Sequence, residues 1–214
     1  MGTEYSRYLR LDQLLELQQP ATGPEFARRR SSEHFFIVVH QASELLLKQL
    51  LADLHAVTAE LRRSRVDWPL VHESLERADA LVTALKDLLR LFDHLSVDEF
   101  AAFRPALGSA SAGQSHQFSS FLSSMGIGGH PSPLTATLRS AVRGENTDSE
   151  EFGRAVRSLR GLASSVEEWQ RRHIAVAERF IADAPGTGGT AGVAWLRRRQ
   201  CPALPDLPQL SSPS

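Results

Sequence analysis

Three long segments of the chain repeat apolar residues at alternating steps of four and three positions. A repeat of about 3.5 residues is typical of helices that pack side by side at shallow angles. Strand-type alternation is nearly absent, and its closest approach, residues 35–39, is too short to force a sheet. The pattern predicts an all-α bundle of long antiparallel helices. The stripes are Phe36, His40, Ser43, Leu47, Leu50, Leu54, Val57 and Leu61, then Val71, Leu75, Ala78, Val82, Leu85, Leu89 and Phe92, and then Phe152, Val156, Leu159, Ala163, Val166, Gln170, His173, Ala177 and Phe180.

Short local signals predict where several helices begin. Ser96-x-x-Glu99 and Thr147-x-x-Glu150 match the capping box, in which the first side chain accepts from a backbone N–H and the second reaches back. A proline that follows Ser132 predicts a further helix over residues 133–143.

These elements divide the chain into three parts. Residues 1–30 are predicted to form an N-terminal arm with a first short helix, and residues 31–200 the helical domain. Residues 201–214 are rich in proline and serine and are predicted to be a disordered tail, because they offer little apolar surface to bury.

Charge and composition exclude several classes of protein. The 214 residues include 24 basic and 25 acidic side chains, a net charge of −1, which argues against binding of nucleic acid or an anionic membrane. We expect a cytoplasmic protein, because no signal-peptide pattern and no uninterrupted apolar run of about 20 residues is present. A single cysteine, Cys201, excludes a disulfide within the chain and an all-cysteine metal site.

Two histidines, His40 and His173, interrupt apolar stripes that would otherwise face the core. A buried imidazole must be hydrogen-bonded or bound to a metal to offset its desolvation. One reading is a pair of core histidines, each satisfied by a local hydrogen bond. The other is a haem site, with one histidine as axial ligand and one above the open face. Sequence patterns for di-iron carboxylate, zinc-helix and covalent haem sites are absent.

A glycine-rich segment, residues 186–192, follows the third long helix. Because it follows a helix and not a strand, it is neither a P-loop nor a dinucleotide-binding turn. It is either a flexible linker or a loop whose backbone N–H groups and threonine hydroxyl approach a ligand closely.

Four stretches of the chain, taken in order, resemble the tryptophan 2,3-dioxygenase family of haem-dependent oxygenases. They are residues 5–15, residues 36–45 with the box His-Gln-x-Ser-Glu-Leu, residues 103–118, and residues 173–189. The spacing of 14 residues from His173 to Thr187 adds to the match, which reaches to about residue 200.

On the cofactor side, the resemblance implies that His173 is the proximal ligand of a b-type haem. Thr187, with Gly186 and Gly188 beside it, would lie against the haem edge, and Thr187 would also contact the substrate.

On the substrate side, the resemblance implies that His40 is the catalytic distal histidine, which hydrogen-bonds the indole N–H. Phe36 would pack against the substrate ring. The N-terminal residues Tyr5, Tyr8 and Leu9 would cross to a neighbouring subunit and close its pocket, so a homodimer or homotetramer is expected.

Three departures from the family pattern alter the expected substrate. Ser119 stands where the family has the arginine that binds the amino-acid carboxylate, and the sequence from Ala112 to Gln114 lacks the family's aromatic residue. Only 53 residues separate Ser119 from His173, which is a short interval for this family. We therefore expect a more open pocket and a substrate other than free tryptophan, as in specialised biosynthesis.

The resulting expectation is a haem-dependent oxygenase that uses O₂ on an indole or a related small aromatic substrate. Two alternatives remain open at this point. One is a haem-dependent monooxygenase, hydroxylase or peroxygenase that acts on a tyrosine- or indole-derived intermediate. The other is a haem-binding protein without catalytic activity.

Overall fold

The computed structural model describes residues 2–129, 131–142, 150–182, 184, 186 and 192–207. Within these residues the chain is helical and contains no strand, so the all-α prediction is confirmed. The α-helices are α1 (Glu4–Leu9), α2 (Leu11–Leu14), α3 (Ala27–Glu60), α4 (Trp68–Leu91), α5 (Val97–Phe103), α6 (His116–Ser124), α7 (Pro133–Val142), α8 (Glu150–Ile181) and α9 (Val193–Arg198).

Of the three longest helices, α4 packs against both α3 and α8 along the predicted stripes. Every predicted position of the α4 stripe is buried, and so are the positions of the α3 stripe from Leu47 onward and those of the α8 stripe from Phe152 to Val166. Burial of each valine, leucine or phenylalanine side chain among them stabilises the fold by about 1.5–3 kcal/mol.

The direction of each long helix follows from its connections. α3 and α4 run antiparallel, as predicted, and the turn between them is fixed by Glu60, whose carboxylate accepts from the backbone N–H of Asp67 at 2.8 Å. α8 runs in the same direction as α4, since Trp68 contacts Phe152 at one end and Arg179 donates to the Phe92 carbonyl at the other. In the sequence between α4 and α8, residues 92–142 lead the chain back to the end of the bundle where both of these helices begin.

Helix α3 is long and apolar enough, by length and composition alone, to cross a membrane, with a mean hydropathy of 1.3 over its most apolar window. In the structure it packs against α4, α5, α6 and α7.

Two of the predicted helix starts are found, with one difference in detail. α7 begins at Pro133 and α5 begins directly after Ser96. The capping-box hydrogen bond at Ser96 is not formed, and Glu99 instead pairs with Arg28 of α3 at 3.0 Å. Thr147 of the other predicted box lies outside the described residues.

The prediction of a disordered tail from residue 201 is wrong for residues 201–207. Ala203 and Leu204 are only 5% and 2% exposed, and the backbone N–H of Leu204 donates to the Met125 carbonyl at 2.7 Å. These two apolar residues attach the segment to the core. Residues 208–214 lie outside the described part of the chain.

A buried carboxylate, that of Glu33, helps to attach the N-terminal arm to the bundle. Glu33 is 2% exposed and accepts from the backbone N–H groups of Ala21 and Thr22, both at 2.8 Å. Burial acts to raise the pKa of Glu33, but the hydrogen bonds from Thr22 and Ala21 outweigh it and lower the pKa below its ordinary value of 4.5.

Replacing Glu33 with glutamine should loosen the base of the arm, because one of the two oxygens that accept from Ala21 and Thr22 becomes an NH₂ group, which donates and cannot accept. We expect a loss of about 1–3 kcal/mol in the free energy of unfolding and faster hydrogen exchange at Ala21 and Thr22. Since folding lowers this pKa, the stabilisation is present above the unfolded-state pKa and is lost as the pH falls through the folded-state value. Glu16→Gln, at an exposed position, is the control, and equal exchange rates in both variants would contradict the assignment.

Candidate functional site

His40 and His173 lie at the same end of the bundle, where the apolar stripes are no longer fully buried. Phe36, His40 and Ser43 on α3 are half-buried, and so are His173, Ala177 and Phe180 on α8. The rest of each stripe is closed by its neighbours. The described residues therefore leave this end of the bundle partly open.

Aromatic rings surround His40 at this opening. Its imidazole lies 4.0 Å from the Phe36 ring and 5.6 Å from the Phe92 ring, centroid to centroid. Phe92 in turn contacts Phe180 of α8 at 6.1 Å, and Phe36 contacts Phe100 of α5 at 5.8 Å. The wall beside His40 is thus apolar and suits a flat aromatic ligand.

The hydrogen bond of His40 fixes which of its nitrogens can accept. Nδ1 donates to the backbone carbonyl of Phe36 at 2.8 Å, which places the hydrogen on Nδ1 and leaves the lone pair on Nε2. Burial lowers the pKa of His40, against the opposing effects of the Phe36 carbonyl and Glu44. His40 is therefore a neutral hydrogen-bond acceptor at the opening.

His173 lies against aromatic rings on α8 and α6. The indole of Trp169 stacks on its imidazole at 5.2 Å with an interplanar angle of 7°, and the Phe118 ring lies 6.0 Å away. Burial, with a smaller contribution from His40, lowers the pKa of His173 to about 4. The imidazole is therefore neutral near pH 7, the form that binds a metal.

This arrangement suits a cofactor that needs one protein ligand. Among the described residues no group of three histidine, cysteine, aspartate or glutamate side chains could hold a bare metal ion. Two neutral imidazoles on different helices at an apolar opening instead match the needs of a haem, whose iron His173 would bind. A buried side-chain amide nitrogen without a partner, that of Gln170, lies one helical turn from His173. The residues present fit the group.

The glycine-rich segment is described only at its ends. Gly192 has φ +58°, and a Cβ there would lie 2.5 Å from the Ala184 carbonyl oxygen and 3.5 Å from the Gly186 nitrogen. Only glycine permits this conformation and this approach, so the two described ends of the segment, Gly186 and Gly192, lie side by side. Thr187 and Gly188 lie outside the described residues.

The remaining predicted site residues are exposed. Ser119 lies on α6 and faces solvent. On α1, Tyr5, Tyr8 and Leu9 are 68%, 87% and 41% exposed. The structure thus brings together His40, Phe36 and His173, and it leaves Ser119 and the arm residues uncovered by the described chain.

Two aromatic residues near the site were not identified from the sequence. Trp169 lies four positions before His173, one turn along the same helix, and that spacing was a usable signal. Trp195 on α9 lies next to Gly113, where a Cβ would be 3.8 Å from the indole. No local pattern indicates this contact, because it joins residues that are distant in sequence.

A surface cavity of about 470 Å³ lies at the other end of the bundle. It is lined by Leu61, Arg62 and Arg63 of the α3–α4 turn and by residues of α7, and it contains none of the predicted site residues. The chemistry of the two histidines is therefore separate from this cavity.

Comparison with known proteins agrees with the family resemblance found in the sequence. The family model described as tryptophan 2,3-dioxygenase matches residues 1–129. A tryptophan 2,3-dioxygenase of Anaeromyxobacter sp. (strain K) is 29% identical over 257 residues, covering 95% of this chain and 93% of the relative. The enzyme of the same name from Herpetosiphon aurantiacus is 29% identical over 254 residues, with 95% of each chain covered.

The alignments also show that this chain is short. The alignment with the Anaeromyxobacter enzyme runs over 257 residues, whereas this chain has 214 in all, so at least 43 aligned positions have no counterpart here. A reduced chain was expected from the short interval between Ser119 and His173.

Proposed function

The chain belongs to the tryptophan 2,3-dioxygenase family, and on this premise we propose that it is a haem-dependent dioxygenase of an indole or related aromatic substrate. The observation that carries the proposal is the pair of neutral imidazoles, His40 and His173, at one open, aromatic-lined end of the bundle. Enzymes of this family depend on haem and use O₂ as co-substrate.

The two histidines have different tasks in this proposal. His173 binds the haem iron through one ring nitrogen, and Trp169 limits the rotation of the ring by stacking on it. His40 offers the Nε2 lone pair to an indole N–H, with the ring held by the bond from Nδ1 to the Phe36 carbonyl. Phe36, beside His40, supports the face of the substrate.

The bound haem supplies the binding and activation of O₂. The protein orients the aromatic substrate and excludes water, which its aromatic wall of Phe36, Phe92 and Phe100 favours. In this dioxygenase reaction the O–O bond and the C2–C3 bond of the indole would both break, and one oxygen atom would go to each carbon to give an N-formyl ketone.

Substitution of each histidine by alanine separates the two tasks. We expect His173→Ala to purify without haem, and His40→Ala to retain haem while losing most of its turnover. Absorbance in the Soret region and turnover of an indole panel are the measurements. His55→Ala, at an exposed position on α3, is the control and should behave as wild type.

Two results would contradict the assignment. A His173→Ala protein with full haem content and an unchanged ferrous spectrum would show that the axial ligand lies elsewhere. A haem-bound wild type that turns over no aromatic substrate in the presence of O₂ and a reductant would favour a non-catalytic haem protein.

We also propose that the N-terminal arm completes the site of a neighbouring subunit. Tyr8 is 87% exposed and Tyr5 is 68% exposed. Large aromatic side chains that are this exposed to water are unusual in a monomer. Base contacts such as Gln18 Nε2 donating to Gln41 Oε1 attach the arm to α3 and direct α1 away from the bundle.

Deletion of residues 1–12 should therefore abolish activity while haem content stays close to that of wild type. Sedimentation should show a dimer or tetramer for the full chain. A matched truncation of residues 208–214 should leave activity unchanged. A fully active monomer, or an arm-deleted protein with normal turnover, would refute arm exchange.

The finer proposal on substrate is that free L-tryptophan is a poor one. Ser119 is neutral and exposed, so it offers no charge-assisted hydrogen bond to a carboxylate. Such bonds contribute about 1.5–3 kcal/mol each. A substrate without a free carboxylate suits this position better than free L-tryptophan. Its carboxylate would be absent, esterified or joined to a carrier.

Ser119→Arg should increase kcat/KM for L-tryptophan relative to tryptamine, by about tenfold or more, because the guanidinium can bind the carboxylate. Ser120→Arg adds the same charge at the adjacent exposed position of α6 and should leave this ratio unchanged. Wild-type turnover of L-tryptophan with a micromolar KM would show that the carboxylate is bound elsewhere.

A further inference from the structure

Gln170 is a polar residue in the apolar seam of the bundle, the set of stripe positions on α3, α4 and α8 that face the core. It lies on α8, is 7% exposed, and its amide nitrogen Nε2 has no hydrogen-bond partner among the described residues. Leaving a buried amide unpaired costs about 1–3 kcal/mol. A leucine at this position would avoid that cost, so core packing alone does not explain why the residue is a glutamine.

His173 is the polar residue next to it on the same face. The two positions are three apart on α8, so their Cβ atoms lie about 5–6 Å from each other. In the described part of the chain the imidazole of His173 makes ring contacts with Trp169 and Phe118 but no hydrogen bond. Two adjacent polar groups, both without a partner, thus stand in an otherwise apolar stripe.

Other neighbours do not supply the missing partner of His173. Trp169 covers the face of the imidazole, in a stack tilted by only 7°, and therefore does not reach the nitrogens at its edge. Val166 and Ala177, the stripe positions on either side of the pair, are apolar. Gln170 is the polar side chain of the stripe within one turn.

We propose that Gln170 is a positioning residue for His173, whose amide hydrogen-bonds the imidazole nitrogen that does not face the cofactor. This inference rests on the proposed haem-binding function. When one ring nitrogen binds iron, the other carries the hydrogen and donates it, and the amide oxygen Oε1 of Gln170 accepts. The two ends of an amide exchange by a half-turn about its last torsion.

The bond would have two effects on the axial ligand. It fixes the tautomer and the rotation of the ring, and it increases the electron density on the nitrogen bound to iron. Partners of this kind typically change metal affinity about 10- to 100-fold. Coordination would fix the hydrogen on the other ring nitrogen of His173, so the Gln170 amide would gain a hydrogen-bond partner that the described residues alone do not give it.

Three variants test the inference on the full-length, haem-loaded protein. Gln170→Leu removes the acceptor, Gln170→Glu replaces it with a stronger one, and Arg171→Leu is the control at the exposed neighbouring position. The readouts are the iron–histidine stretching frequency of the ferrous protein, the midpoint potential, and the rate of haem transfer to apomyoglobin.

Gln170→Leu should lower the stretching frequency, raise the potential and accelerate haem loss about 10- to 100-fold. Gln170→Glu should shift frequency and potential in the opposite direction. The haem-free form of Gln170→Leu should unfold at a higher temperature than the haem-free wild type, because the unpaired amide is gone. A purely structural role for Gln170 predicts the reverse.

The failures are distinguishable. If the wild type binds haem through His173 and both Gln170 variants match Arg171→Leu in frequency, potential and haem loss, the positioning role is wrong and the proposed function stands. If the wild type takes up no haem, including after reconstitution with haem b, the proposed function and this inference both fail.

Discussion

The packing of α4 against α3 and α8 along apolar stripes determines where every other feature of the molecule lies. Helices that pack at shallow angles keep the same residues in contact over many turns. His40 and His173 occupy stripe positions, so the register that buries Leu47 and Leu159 also brings the two imidazoles to the open end. The site is therefore a consequence of core packing and not of a separate loop structure.

Desolvation keeps both histidines uncharged, whereas their hydrogen bonding determines which ring nitrogens each of them has available. Burial lowers the pKa of both, which keeps both rings neutral near pH 7. His40 is held by the Phe36 carbonyl and has one acceptor nitrogen available. His173 has no such bond within the described chain, so its nitrogens are available to a metal and to a neighbouring side chain. One physical cause thus supports two chemical roles.

The sequence predicts what repeats and misses what does not. The α4 stripe is buried at every predicted position, and His40 and His173 were identified because they break an otherwise regular pattern. Ala203 and Leu204 were missed, because two apolar residues among prolines have no period, although their contact with Met125 attaches the segment. At Ser96 the local capping pattern was correct for the helix start, but a contact between Glu99 and Arg28 replaced the expected hydrogen bond. Contacts between distant segments account for both differences.

The polar residues of the α3 and α8 stripes lie at one end of the seam. This placement explains how the protein tolerates a site whose polar groups are not all hydrogen-bonded. From Leu47 to Val57 on α3 and from Phe152 to Val166 on α8, the stripe positions are apolar and buried. Gln170, whose amide nitrogen has no partner among the described residues, and the two imidazoles lie on the stripes beyond these stretches. Since the apolar length carries most of the folding free energy, the polar end can hold groups that are unfavourable without a ligand. Ser119, on the solvent side of α6, lies outside this seam altogether, so a substitution there leaves the contacts that define the fold unaltered.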